Sequence, residues 1–192
     1  MASPDLKYTW TGGCSSLWSG CAFGLRNNAT VTSLTFRQTS LGSVNDGIYI
    51  ENCSAITTIS FPNLTDSPSY GYLITGNGAL SSISFPVLAS ASPTGSSTIP
   101  MFYIVGNPFL TTIYMPIVVF GHNIFTSATD YNFSGNALNQ ATVDQILARA
   151  VATPSFTAGT IQLDGGTNSP PSAAGMVDKN TLITRGLFVN TN

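Results

Sequence analysis

ITTISFPNL at residues 56–64 returns as LSSISFPVL at 80–88 and again as LTTIYMPIV at 110–118. VTSLTF at 31–36 is a fourth, looser copy. In each, apolar residues alternate with Ser or Thr, the period of a strand with one buried face. Pro follows three of the four phrases, where a strand has no further need of an N–H donor. Recurrence of this kind outranks other sequence signals, because each copy makes one unit that is buried only when its neighbours stack on it.

A second phrase precedes or follows each copy: FGLRNNATV at 23–31, IYIENCSAI at 48–56, YLITGNGAL at 72–80, FYIVGNPFL at 102–110 and YNFSGNAL at 131–138. Their shared form is apolar-x-apolar-x-x-Asn/Cys. Phe23 and Leu25, Ile48 and Ile50, Tyr72 and Ile74, Phe102 and Ile104, and Tyr131 and Phe133 are therefore expected to point inward. The closing position is Asn28, Cys53, Asn77, Asn107 and Asn136, at steps of 25, 24, 30 and 29 residues. Where a chain turns out of a sheet it strands backbone groups that need partners. An inward Asn can supply both donor and acceptor, and a buried Cys is a small weak substitute. A structural ladder through these five positions is expected.

This phrase, ending in Asn or Cys, resembles the leucine-rich repeat family, over roughly residues 20–165. The Thr/Ser-rich copies look like the bacterial-surface and phage members of that family. Repeat length is irregular, and the second apolar phrase replaces the usual helical side. The resemblance implies a mostly β solenoid: an irregular leucine-rich-repeat array with two short parallel strands per repeat, capped by a C-terminal α/β segment. Residues 1–192 then form a single domain, with an N-terminal cap at 1–22, repeats at 23–138 and a helix–strand cap at 139–192.

Within that cap, Val143, Ile146, Leu147 and Ala150 fall on one face of an amphipathic helix. Thr142 and Gln145 can form a capping box, or Asn139 can start the helix earlier. GTIQLDGG reads as a sixth strand with Gly166 in the ladder slot, Ser172 to Arg185 as a second helix stopped by Gly186, and LFVN as a closing strand. The inserts DSPSYG and ASASPTGSSTIP read as surface loops. At the other end, Trp10, Leu17, Trp18, Cys14 and Cys21 are expected to cover the first repeat. Cys14 and Cys21 can close a small disulfide loop or remain two free thiols, and both readings stay open.

Composition narrows function. Charged residues make up 7% of the chain, formal charge is -2, and none occurs from Ser67 to Thr129. Phosphate recognition needs clustered Lys and Arg, so a nucleic-acid partner is not expected. No signal peptide is visible in MASPDLKYTW, and no apolar run approaches the ~20 residues of a membrane span, so membrane insertion is not expected. An external-looking composition on a cytosolic-looking start suits a virion, extracellular or cell-surface location.

The chemistry is sparse. His122 is the single histidine, Glu51 the single glutamate, and Asp130 is placed about 14 Å from Glu51 by strand spacing, too far for a carboxylate pair. DGGTN at 164–168 reads as a Gly-rich turn rather than a calcium site. No catalytic residue, metal or cofactor is expected. The outward row of the first strands holds Tyr49, Leu73, Tyr103 and Asn132, beside Arg26 and Glu51, and reads as a binding stripe. The expectation is a non-enzymatic binding or structural module displayed on a virion (phage tail or capsid) or bacterial surface. Its outward strand face would mediate contact with a host-receptor protein, a glycan or other virion subunits, and a homo-oligomer is compatible. A glycan-active enzyme is the alternative. The Thr/Ser pairs at 32–33, 57–58, 81–82 and 111–112 suggest a third reading, ice binding.

Overall fold

The structure, a computed structural model, describes residues 23–37, 39, 47–68, 70–91, 101–121 and 131–192. Cys14, Cys21, Trp10, Leu17, Trp18, His122, Asp130 and most of the second insert lie outside these residues.

The apolar-x-apolar phrases form seven parallel strands of one sheet: β1 (Phe23–Arg26), β3 (Ile48–Glu51), β5 (Tyr72–Thr75), β8 (Phe102–Val105), β11 (Tyr131–Asn132), β12 (Thr160–Leu163) and β13 (Phe188–Thr191). The Thr/Ser phrases form a four-stranded parallel sheet: β2 (Ser33–Thr35), β4 (Thr58–Ser60), β6 (Ser82–Ser84) and β9 (Thr112–Tyr114). A third sheet pairs β7 (Ser90–Ala91) with β10 (Val119–Phe120). Two helices follow: α1 (Gln140–Val151), capped by the Asn139 side chain on the Thr142 N–H, and α2 (Ala173–Thr184), capped by Ser172 on Gly175. Pairing is without slip. Phe23, Ile48, Tyr72, Phe102 and Tyr131 stand in one inward row, and Leu34, Ile59, Ile83 and Ile113 in another.

Aromatic rings fill the space between. Phe36, Phe61 and Phe85 stack at centroid distances of 4.6 and 4.7 Å, and Tyr72 stacks on Phe102 at 5.0 Å. Edge-to-face contacts join the two columns, Phe61 to Tyr72 and Phe85 to Phe102. The core then runs unbroken through Phe120, Tyr131 and Phe156 to the buried faces of both helices.

These observations correct the expected fold. The molecule is a compact mixed α/β domain with three separate parallel sheets, two C-terminal helices and one aromatic core. It is not the elongated, mostly β leucine-rich-repeat solenoid that the phrases resemble. The repeated phrases specify which strands pair, but not what closes the body. After β9 the four-stranded sheet ends, and α1 closes its edge: Asn139 N–H donates to Thr111 O (3.0 Å), Thr142 Oγ1 donates to the same carbonyl (3.2 Å), and Gln145 Oε1 accepts from Met115 N–H (3.2 Å).

The functional expectation tied to that fold falls with it. A virion- or surface-displayed module working through the outward face of its sheet needs that face open. Tyr49 is 3% exposed and Leu73 8%. The Tyr49 ring lies back over Gly47, with its hydroxyl 2.7 Å from where a Cβ on that glycine would stand. Two of the three bulky residues of the stripe are interior, so adhesion and host recognition through it are withdrawn.

Candidate functional site

Each side chain singled out from sequence can now be placed. Arg26 and Glu51 face each other across β1 and β3, with Nη2 to Oε1 at 2.6 Å and Nε to Oε1 at 3.0 Å. Tyr103, half-buried, pairs in register with Leu73 on one side and Asn132 on the other. Asn132 Oδ1 accepts from the N–H and hydroxyl of Ser134, which makes it the pivot of a local turn.

Four of the ladder positions, Cys53, Asn77, Asn107 and Asn136, are joined directly. Asn107 Oδ1 accepts from the Asn77 N–H (3.0 Å), and Asn136 Oδ1 from the Asn107 N–H (2.9 Å). Their amide groups donate to carbonyls of the preceding strand, Asn77 to Ile50, Asn107 to Ile74 and Asn136 to Ile104. Cys53 donates its backbone N–H to Asn77 Oδ1, and its thiol points at the Leu25 and Glu51 carbonyls. Burial pushes the Cys53 thiol pKa up. Asn28 differs: it is half-buried, and its Oδ1 holds the local turn through the Thr30 and Val31 N–H groups. The next member is Asn168, not Gly166. Its Oδ1 accepts from Leu138 N–H and its amide donates to Phe133 and Leu163 carbonyls. Gly165 repeats the positive φ of Gly76, Gly106 and Gly135, and Gly166, in the slot itself, adds a second (58°), which lengthens that turn and moves the Asn along. Asn168 stands 32 residues beyond Asn136, a step longer than any earlier one.

One hydroxyl of each later pair is tied along the stack, at the exposed surface. Thr57, Ser81, Thr111 and Thr142 each donate to a carbonyl of the preceding repeat: Thr32, Thr57, Ser81 and Thr111. Those four hydroxyls are committed to holding the stack together. That Thr142 of α1 continues the column is absent from the phrase pattern and was not read from it.

One open place lies at the C-terminal end. β13 is the last strand of the seven-stranded sheet, with no strand beyond it among the described residues. Phe188 N–H donates to Gly159 O, toward β12. In a parallel ladder alternate residues face opposite neighbours, so the N–H and C=O of Val189 and Thr191 face the free edge. Beside it, α2 buries only Gly175 and Leu182. Val177, Asn180 and Thr184 stand opposite those two on the helix, and Met176 and Ile183 stand on the flank shared with Lys179. Lys179 reaches Thr191 Oγ1 (2.8 Å), which fixes that flank as the one beside β13. Val177 is 64% exposed and Phe188 73%.

Two of the charges nearby are held within the end itself, while Asp178 on α2 is half-buried. Arg185 closes the last turn of α1 by donating to the Val151 (2.9 Å) and Thr153 (3.3 Å) carbonyls, and Asp144 Oδ1 accepts from Ser172 N–H (2.9 Å). The exposed residues Met176, Val177, Asn180, Ile183, Thr184, Phe188 and Asn190 are all uncharged. A second apolar group, Tyr114, Ile117 and Val119, is exposed around β9 and β10, but α1 already covers the β9 edge. Compared with protein-family models, with curated proteins and with solved structures, the chain matches none.

Proposed function

We propose that the protein is a non-enzymatic assembly module that binds another protein through its C-terminal end, the α2 stripe and the β13 edge. The observation that carries this reading is the coincidence of two unmet valences at one place. An open strand edge invites a further strand, and soluble proteins commonly blunt such edges with Lys, Pro or a bulge. Phe188–Thr191 holds none of the first two and pairs evenly along β12. Met176, Val177 and Ile183 leave apolar surface open on that helix, of the kind that marks contact sites when it is clustered. Supporting a non-catalytic role, the ionisable groups Arg26, Glu51, Asp144, Lys179 and Arg185 are each engaged in contacts that hold the fold.

The test is site-specific photo-crosslinking in cells that express the protein. A benzophenone amino acid at position 177 or 188 is expected to give one discrete protein adduct, and the same probe at Ile117 none. Adducts from Ile117 alone, or none from 177 and 188, would refute the reading.

A further inference from the structure

We infer that Asn77–Gly78 is a latent self-modification site: the folded stack keeps Asn77 an amide, and an opened chain converts it to aspartate or isoaspartate. The sequence holds this one Asn-Gly pair. The chemistry needs only water. The Gly78 backbone nitrogen attacks Asn77 Cγ, a new C–N bond closes a succinimide ring, and the amide nitrogen leaves as ammonia, carrying off the Gly78 proton. Water then opens the ring at either carbonyl, and the nitrogen regains its proton. The product is Asp at residue 77, or isoaspartate with the main chain routed through Cβ.

The fold does not require glycine there. Leu80 N–H closes a turn on the Asn77 carbonyl (3.2 Å), as Ile56 does on Cys53 and Leu110 on Asn107. Ser54 and Pro108 fill the Gly78 position in those turns. Nothing lies within 4 Å of a Cβ placed on Gly78, and its φ is not positive. What glycine adds is an unhindered nitrogen beside an asparagine. Two other ladder residues lack it: Asn107 precedes Pro, which has no N–H, and Asn136 precedes Ala, whose Cβ crowds the attack.

Protection comes from the ladder. Asn77 is buried although Gly78 is exposed. Asn77 Oδ1 accepts from Cys53 N–H (3.0 Å), and Nδ2 donates to Ile50 O (3.1 Å) and Asn107 Oδ1 (3.0 Å). Closing the ring expels that Nδ2 donor and strands both acceptors. The product cannot rebuild the contact: a carboxylate at residue 77 turns an acceptor toward two acceptors in a buried place. Isoaspartate also lengthens the main chain between strands of fixed register. A chain that stays open long enough to react is therefore lost to refolding.

The test holds the whole chain in native buffer and in urea at the same mildly alkaline pH, then digests samples for mass measurement. In urea the peptide containing residue 77 is expected to gain about 1 Da. That gain should run about tenfold or more faster than in buffer, where it waits on opening of the stack. The fraction that refolds on dilution should fall in step with it. Gly78→Ala, which the turn accommodates, should slow the gain in urea by about tenfold or more and preserve refolding. Asn77→Asp, made directly, should lower the denaturant midpoint or prevent folding, and reads the consequence without a refolding step. Equal rates in buffer and urea, converted chains that refold as fully as unconverted ones, or an unchanged rate in Gly78→Ala would each overturn the inference. So would an Asn77→Asp protein as stable as wild type.

Discussion

At Asn107 and at β13 the same chain meets the same geometric problem with opposite outcomes. Asn107 lies between two neighbours: it donates to Ile74 O behind it, accepts from the Asn77 N–H, and gives its own N–H to Asn136. At β13 the equivalent edge groups meet no further strand among the described residues, and Val177 of the adjoining helix and Phe188 of the strand itself are open to solvent. Apolar residues between neighbours act on stability, because their burial is complete within one chain. The same residue types at the end contribute little to folding and are free to act on association. Composition cannot separate the two roles; position in the stack does.

Substitutions can break this contrast, beginning with the largest effect. Asn107→Leu strips the Asn77 N–H of its acceptor and the Ile74 carbonyl of a donor, both buried. Each stranded group costs about 1–3 kcal/mol, so a loss of about 3–5 kcal/mol is expected in denaturant titration. Gly106→Ala tests the residue that precedes the ladder Asn. Asn27, Asn52, Gly76, Gly106, Gly135 and Gly165 all hold positive φ at equivalent positions. Nothing lies within 4 Å of a Cβ placed at Gly106, so only the left-handed backbone is penalised, by about 1–2 kcal/mol.

Tyr72→Phe is expected to act the other way. The Tyr72 hydroxyl is buried with no hydrogen-bond partner among the described residues, and burial drives its pKa far above the usual phenol value despite the nearby Ser67 hydroxyl. Its removal should leave stability unchanged or raise it by up to ~1 kcal/mol. The folded pKa lies above the unfolded one. The stability linked to this group is therefore fully present below pH ~10 and is lost as pH rises beyond that. Cys53, also raised, adds the same sign of loss from about pH 8.5 upward. Alkaline melts of wild type and Tyr72→Phe should diverge above pH ~10, with the mutant the flatter. The smallest effect belongs to the end. Val177→Asp should shift folding stability by less than ~0.5 kcal/mol, as exposed substitutions do.

Much of the local structure was legible in residues whose neighbours in space are equivalents in sequence. Alternation in IYIE, YLIT and FYIV reports a strand with a buried face, and Val143, Ile146, Leu147 and Ala150 report the buried face of α1. Asn139 proved to be the helix cap, with its side chain on the Thr142 N–H. The global shape was not legible, because resemblance to a repeat family carries strand register but not closure by α1, α2 and a third sheet. That sheet is two residues per strand, too short for any periodicity to register. The burial of Tyr49 and Leu73 was equally hidden: alternation says that a side chain leaves the core face, not that the other face is uncovered. Asn168 was missed because a second positive-φ glycine, Gly166, sits in the slot and the turn runs two residues longer.

Native-state amide hydrogen exchange, residue by residue, measures the contrast at its source. The N–H groups of Cys53, Asn77 and Asn107 should exchange only through global opening. Those of Val189 and Thr191, which face the edge of the last described strand, should exchange within minutes. Exchange at Asn77 and Asn107 as fast as at Val189 and Thr191 would contradict the account.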